Sequence, residues 1–234
     1  MNEAQENNPF AYPSFNALFT RSLQPNVRPI AAEPSDFASP VDGCISQLGF
    51  IQDGQLLQAK GHSYSVSSLL GNDSRLASIF KNGTFITLYL APPDYHRVHM
   101  PLEGHLSQMI YVPGRLFSVN QQTTASIPNL FARNERVISL FKTAAGQMAV
   151  ILIGAMIVGS IETVWAGTVA PSVRQVPHHW EYADSVYLKR GEEMGRFKFG
   201  STVIVLLEPN VIQWLARLTP GVRVQLGQRL GRLS

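Results

Sequence analysis

The chain contains many short runs of residues that favour β-strands, and this pattern limits the fold more than any other feature. The runs are rich in Val, Ile, Thr and aromatic residues, and Gly, Pro or Asn bounds most of them. They cover residues 84–90, 105–112, 136–141, 149–153, 157–164, 185–188 and 202–207. One helix is predicted over 67–80, although Gly71 interrupts its apolar pattern. Because strands and helices do not alternate, a doubly wound parallel sheet is disfavoured, and the sequence predicts an α+β domain dominated by antiparallel sheet.

The length of 234 residues fits one large domain or two small ones. We expect an N-terminal arm over 1–36, which prolines punctuate, followed by a single domain over 37–234. Within the arm, Ser14 is placed to cap a short helix in which Phe15, Leu18 and Phe19 share one face. That face is expected to pack on the body of the protein, and contact with a membrane is the alternative.

Charged residues make up only 15% of the chain, against about 25% in an average soluble domain. The basic excess is concentrated at the C-terminus, where no acidic residue follows Pro209. Four arginines lie in this segment: Arg217, Arg223, Arg229 and Arg232. The rest of the chain has no dense basic patch, so nucleic acid is not an expected partner.

Several classes of protein are disfavoured by simple counts. The single cysteine, Cys44, excludes a disulfide within the chain and a cysteine-based zinc site. The first ten residues are polar and acidic, which is not the pattern of a secretory signal. The longest apolar run, 148–159, is shorter than the roughly 20 residues that a membrane-spanning helix needs. No nucleotide-binding glycine motif and no GxSxG motif is present.

The densest polar cluster is DYHRVHMP, residues 94–101, just after the strand predicted to end at Leu90. Histidine titrates near neutral pH, so His96 and His99 are candidates for proton transfer. Taken singly, each histidine is more often a structural residue. A metal site formed by His96, His99 and His105 is not favoured, because no carboxylate-rich motif accompanies them.

Two further segments, SPVDG at 39–43 and Gly200-Ser201-Thr202, are ordinary turn sequences when taken alone. They also belong to a series of longer motifs: PVDGCISQLG (40–49), QAKGHSYS (58–65), DYHRVHMP (94–101), IYVPGRLFSVN (110–120), PNLFARNERV (128–137), VGSIETVWAG (158–167) and GEEMGRFKFGST (191–202). With these motifs in this order, the chain resembles the phosphatidylserine decarboxylase family of the bacterial type. The family's PADG is PVDG here, which leaves Asp42 in place.

The resemblance implies a proenzyme that cuts itself between Gly200 and Ser201. The products are a β fragment, 1–200, and an α fragment, 201–234, whose Ser201 becomes a covalent pyruvoyl group. By the same resemblance His99 is the base that activates Ser201, and Asp42 is the acid that orients His99. His96 is the residue that returns a proton to the substrate carbon. The pyruvoyl ketone then takes up the electrons left when CO₂ departs.

The resemblance also implies partners and a location. The expected substrate is phosphatidylserine in a membrane surface, and the expected enzyme is a homodimer of cut protomers at the cytoplasmic face of the cell membrane. The chain begins close to the first matching motif, so we expect it to lack most of the N-terminal helices that attach bacterial members to membranes. The aromatic arm over 10–19 and the four terminal arginines are predicted to form an interfacial surface. Each arginine would contribute about 1 kcal/mol of attraction to anionic lipid.

Other functions remain as alternatives. The chain is compatible with a pyruvoyl-dependent decarboxylase that acts on another amine. It also has segments, PVDG and 224–231, that are similar to the edges of biotinyl- or lipoyl-type β modules. That interpretation lacks the modified lysine in a tight turn and leaves DYHRVHMP without a role. A phosphocarrier that uses His96 or His99 would leave Gly200-Ser201-Thr202 unexplained.

Overall fold

A computed structural model of the protein describes residues 1–59, 61–156, 160–172, 175–198 and 201–234, with only the backbone of Ser201. The described residues form short helices and many strands. The helices are α1 (Phe15–Phe19), α2 (Val66–Leu69), α3 (Ser74–Ile79), α4 (Gln121–Ser126) and α5 (Leu130–Arg133), and a single 3₁₀ turn covers Pro9–Ala11. The strands are β1 (Asp36–Ala38), β2 (Gly43–Phe50), β3 (Gln55–Ala59), β4 (His62–Ser65), β5 (Thr84–Leu90), β6 (Arg97–His99), β7 (Gly104–Val112), β8 (Arg136–Thr143), β9 (Gly146–Ile153), β10 (Ile161–Thr163), β11 (Gly167–Ala170), β12 (His178–Leu188), β13 (Glu193–Phe197), β14 (Ser201–Leu207), β15 (Ile212–Trp214), β16 (Arg223–Val224) and β17 (Arg229–Leu233).

The largest unit is an eight-stranded sheet in the order β12-β7-β8-β9-β14-β5-β2-β16, in which all neighbours are antiparallel. A four-stranded sheet has the order β11-β10-β13-β6, and a three-stranded sheet has the order β1-β17-β15. Strands β3 and β4 form a separate hairpin. The predicted α+β class with a dominant antiparallel sheet is therefore confirmed.

Strand β14 lies near the middle of the large sheet and is buried on both faces. Because side chains alternate along a strand, Val203 and Val205 enter one hydrophobic cluster, while Ile204 and Leu206 enter the cluster on the opposite face. Strands β5 and β9 pair with its two edges. Burial on both faces explains why the segment is a continuous apolar run rather than an alternating one.

The prediction of a single helix over 67–80 is wrong, because the chain forms two helices there. Between α2 and α3, Gly71 and Asn72 adopt positive φ angles of 76° and 67°, which a continuing right-handed helix does not allow. Asp73 then starts α3, because its side chain accepts a hydrogen bond from the backbone N–H of Leu76 at 2.9 Å.

The strand predicted over 157–164 is described only in part. Ile161–Thr163 form β10, whereas residues 157–159 lie outside the described residues. In the arm, Ser14 caps α1 as predicted, with its hydroxyl accepting from the N–H of Ala17. None of the helices in the described parts of the chain is long and apolar enough to cross a membrane.

Candidate active site

The predicted cut lies at the start of the buried strand β14. The backbone of Ser201 pairs with Leu90 at the end of β5, and the next residue, Thr202, pairs with Ile153 at the end of β9. Gly200 and the side chain of Ser201 lie outside the described residues. The backbone register alone therefore places Ser201 at one end of the large sheet, beside the last residues of β5 and β9.

The DYHRVHMP segment starts four residues after Leu90, and Asp94 shapes the turn between them. Its Oδ2 accepts a hydrogen bond from the N–H of Ala91 at 2.8 Å, and its own N–H donates to the Ala91 carbonyl at 2.9 Å. The other carboxylate oxygen accepts from the guanidinium of Arg223. This turn connects the end of β5 to β6, the strand that carries Arg97 and His99.

His96 is completely buried in a mainly apolar environment. Its ring packs against Phe19 of α1 with 4.0 Å between ring centroids. Its Nδ1 donates to the carbonyl of Asp94 at 2.8 Å, which leaves the lone pair of the neutral ring on Nε2. Among the described residues, Nε2 has no hydrogen-bond partner. Burial lowers the pKa of His96 to about 4, so the ring is neutral at pH 7.

His99 is held at both ring nitrogens. Its Nδ1 lies 2.8 Å from the carbonyl oxygen of Gly191, which only accepts, so Nδ1 carries the hydrogen. Its Nε2 therefore accepts from the hydroxyl of Tyr95, at 3.2 Å. Burial is the largest cause of a lowered His99 pKa, while the Gly191 hydrogen bond and the negative charge of Asp42 act in the opposite direction. This tautomer presents the lone pair that a general base needs.

Asp42 is buried close to this histidine but does not bond to it. Its carboxylate accepts from Nε and Nη2 of Arg28 at 2.9 and 2.7 Å, and from the N–H of Leu226 at 2.8 Å. The Asp42–His99 hydrogen bond that an Asp–His–Ser arrangement would need is absent among the described residues. The carbonyl of Gly191 takes the orienting position instead, so Asp42 acts on His99 through its charge.

The N-terminal arm packs on the same loop. Arg97, between the two histidines, donates to the carbonyl of Thr20 at 2.9 Å and to the hydroxyl of Ser22 at 2.7 Å. Arg28, which lies in the same arm, also pairs with Glu3. Sequence reasoning missed Arg28 because a lone arginine in a proline-rich segment has no motif around it. It also missed Gly191, because a backbone carbonyl has no residue-type signature.

The third histidine lies in a different region. The Nδ1 of His105, on β7, faces the carbonyl of Asp184 at 3.2 Å, and its ring packs against Tyr187 of β12. In the parts of the chain that the structure describes, no three His, Cys, Asp or Glu side chains are grouped closely enough to hold a metal ion.

Comparison with known proteins adds independent information. The sequence profile of the family described as "Phosphatidylserine decarboxylase" matches residues 15–232. Similar relatives are each named "Phosphatidylserine decarboxylase proenzyme". The relative from Nitrosococcus oceani is 53% identical over 100% of this chain and 77% of its own length. The relative from Ectopseudomonas mendocina is 55% identical over 99% and 82%, and that from Yersinia pestis is 54% identical over 98% and 80%. The resemblance seen in the motifs is thereby confirmed.

Proposed function

The chain belongs to the phosphatidylserine decarboxylase family, and we propose that it removes CO₂ from phosphatidylserine with a pyruvoyl group made from its own Ser201. The enzyme is a carboxy-lyase of phospholipid metabolism and is made as a proenzyme. One observation carries the pyruvoyl assignment. Ser201 begins β14 opposite Leu90, and the loop with His96 and His99 follows directly after Leu90.

The residues around this strand end fit such a group. A pyruvoyl group supplies the electron sink that decarboxylation of an amino acid requires. It also needs a neighbouring acid–base group that is not already bound to another residue. The Nε2 atom of His96 meets this need, because it is buried and has no partner among the described residues. Burial lowers the pKa of His96 to about 4, so the ring is neutral at pH 7 and presents a lone pair at Nε2.

Self-cleavage uses His99. The hydroxyl oxygen of Ser201 bonds to the carbonyl carbon of Gly200 while its proton passes to Nε2 of His99. The peptide C–N bond then breaks, and the released nitrogen takes the proton back from His99, which leaves Gly200 joined to the Ser201 oxygen as an ester. Loss of a proton from the Cα of Ser201 expels the Gly200 carboxylate and cuts the chain. Water then replaces the nitrogen, which leaves as ammonia, and residue 201 keeps a ketone. The Gly191 carbonyl holds Nδ1–H throughout, and the charge of Asp42 favours the protonated ring. Tyr95 must release Nε2 before this step, because its hydroxyl occupies that atom in the structure.

Decarboxylation uses His96. The substrate amine loses a proton as it reacts with the ketone, and the lone pair on Nε2 of His96 is placed to accept it. After CO₂ leaves, Nε2 returns a proton to the carbon that carried it. The hydrogen bond from Nδ1 to Asp94 keeps the same tautomer before and after the transfer.

The pairing of the strands supports fragments that stay together after the cut. Within residues 201–234, β14 pairs with β5 and β9, β16 pairs with β2, and β17 pairs with β1. Ion pairs also join the two fragments, because Arg223 contacts Asp94, and Arg229 and Arg232 lie 3.7 and 3.5 Å from Asp36. These partners reduce the charge that the basic tail can offer to anionic lipid.

We place the enzyme at the cytoplasmic face of the cell membrane, where it reaches a substrate that is itself a lipid. The arm supports this location, because Phe10 is 94% exposed and Phe15 is 59% exposed. Binding to vesicles with and without phosphatidylserine, compared between the parent protein and Phe10→Ser, tests the contribution of the arm. A homodimer of cut protomers is proposed from the family resemblance, and sedimentation equilibrium tests it.

Intact-mass measurement of the purified protein tests the central proposal. We expect two masses, which correspond to residues 1–200 and to 201–234 with a ketone in place of the Ser201 amine and hydroxyl. A single uncut chain in active enzyme would contradict the proposal. Assays of phosphatidylserine against soluble amino acids then separate this activity from that of a pyruvoyl decarboxylase with another amine substrate.

A further inference from the structure

The N-terminal arm forms part of the environment of His96. Phe19, the last residue of α1, is 4% exposed, and its ring centroid lies 4.0 Å from that of His96, with 39° between the ring planes. Nδ1 of the same imidazole donates to the carbonyl of Asp94. One contact holds an edge of the imidazole and the other packs against the ring, so together they restrict how the imidazole can turn. Nε2 is the ring nitrogen that remains without a partner among the described residues.

The arm is bonded to the loop that carries this histidine. Arg97 donates to the carbonyl of Thr20 at 2.9 Å and to the hydroxyl of Ser22 at 2.7 Å. Both acceptors lie within three residues of Phe19, and Arg97 is the residue directly after His96. The position of the Phe19 ring is therefore fixed relative to the imidazole by hydrogen bonds as well as by packing.

Charged groups around His96 do not explain why its ring is neutral. Burial is the largest cause of the lowered pKa of His96; the charge of Asp94 acts in the opposite direction, and that of Arg21 acts in the same direction. The neighbouring elements contribute charged side chains that are already paired, namely Arg223 with Asp94, Arg97 with Glu193, and Arg196 with Glu193. Apolar shielding is therefore the dominant influence on the ring, and Phe19 is a side chain that provides it.

We propose that Phe19 is a positioning residue for decarboxylation, which fixes the His96 ring and shields it from water. The inference rests on the proposed function, because it concerns the proton transfer assigned to His96. It extends that function to the arm, since α1 then contributes to the reaction as well as to the proposed lipid-facing surface. Self-cleavage should not need Phe19, because Gly191 and Tyr95 hold the ring nitrogens of His99.

Titration of the histidines by NMR in an uncut Ser201→Ala parent tests the shielding without any chemistry at the strand end. His96→Gln identifies the signal of His96 among the six histidines. In the parent we expect this signal to titrate with a pKa of about 4. Phe19→Ser should raise that pKa towards the ordinary value of 6.5, because water then reaches the ring. Phe19→Leu, which keeps an apolar side chain, should stay close to the parent.

Phe15→Ser is the matched control, because it makes the same change on the same helix at a side chain that is 59% exposed. The pKa of His96 should not change in this variant. Phe19→Ala, which leaves room for water without adding a polar group, should give an intermediate pKa and replaces Phe19→Ser if that variant does not fold. The parent should also show nuclear Overhauser contacts between the rings of Phe19 and His96, whose centroids lie 4.0 Å apart. Absence of these contacts, or a His96 pKa that stays at about 4 in the folded variant, would overturn the proposal.

The wild-type background gives a second measurement, in the reaction itself, with short-chain phosphatidylserine in detergent micelles. The Phe19→Ser chain should be cut completely. Between about pH 7.5 and about pH 5.5 it should lose roughly tenfold more of its kcat than the wild type, because a histidine with an ordinary pKa is mostly protonated one unit below it. An equal loss at every pH would give Phe19 a structural role only and would also overturn the proposal. An uncut wild-type chain that releases no CO₂ would instead contradict the proposed function, and the titration of the uncut parent would be unaffected.

Discussion

The two sides of the strand end at Ser201 differ in chemistry. On the β5 side lie neutral imidazoles, packed against aromatic rings and oriented by the backbone carbonyls of Asp94 and Gly191. On the β9 side, Glu135 precedes β8, and its carboxylate accepts a hydrogen bond from the hydroxyl of Tyr111. Apolar burial lowers the pKa of an imidazole, whereas a carboxylate needs polar partners. One sheet end therefore combines an apolar environment around the histidines with a polar environment around Glu135.

The largest expected effect comes from replacing Ser201, which lies between the two sides. Ser201→Ala should leave one uncut chain and abolish decarboxylation, because neither the attacking hydroxyl nor the precursor of the ketone remains. Denaturing gels and CO₂ release measure both losses. The matched control is Thr202→Val, which removes a neighbouring hydroxyl that is buried and lacks a partner within the described residues. This control should be cut normally, and an uncut Thr202→Val would show that the strand end tolerates no change.

The two histidines are predicted to act in different steps. His99→Ala should remain largely uncut, whereas His96→Gln should be cut but should lose about 10²–10⁴-fold in kcat, as expected when a general acid–base group is removed. Hydrazine labelling of the α fragment shows whether the ketone has formed. If His96→Gln also stayed uncut, the assignment of separate steps to the two rings would be wrong.

The buried state of His96 predicts how stability depends on pH. Its pKa is about 4 in the folded protein, and the ordinary value of 6.5 applies after unfolding. Between these values the unfolded chain binds a proton that the folded chain does not, so the free energy of unfolding falls as pH decreases from 6.5 to 4. The full effect is on the order of 3 kcal/mol. Urea unfolding at several pH values measures how the free energy of unfolding changes with pH. This change should be smaller for His96→Gln than for the parent protein, and an equal change in both proteins would refute the assignment.

How far the sequence predicts this molecule depends on where the partners of each residue come from. Strands such as β5 and β14 were predictable because burial on both faces demands continuous apolar or β-branched residues. The short strands β15 to β17 were missed because they contain only two to five residues, and β16 and β17 pair with the distant strands β2 and β1.

The candidate site divides in the same way. DYHRVHMP was found because it is the densest polar cluster in the sequence, whereas Gly-Ser-Thr is an ordinary turn sequence that was recognised only through the family resemblance. The contacts that orient them were not, because Gly191 acts through a backbone carbonyl 92 positions from His99 and Arg28 comes from the arm. The pairing of Tyr111 with Glu135 likewise depends on two strands meeting in register, which single-residue patterns do not encode.

The smallest expected effect tests whether the histidine side depends on a residue from the α fragment. Arg223→Gln removes the ion pair with Asp94, whose turn carries His96. Because Arg223 is 65% exposed at its side chain, solvent screens the pair, and we expect at most about 1 kcal/mol of lost stability. The kcat should fall a few-fold, because the turn that holds the His96 ring loses one of its partners. Arg217→Gln is the matched control, because Arg217 is exposed on the same tail and has no partner among the described residues. Equal losses in both variants would mean that the total charge of the tail matters rather than the contact of Arg223 with Asp94.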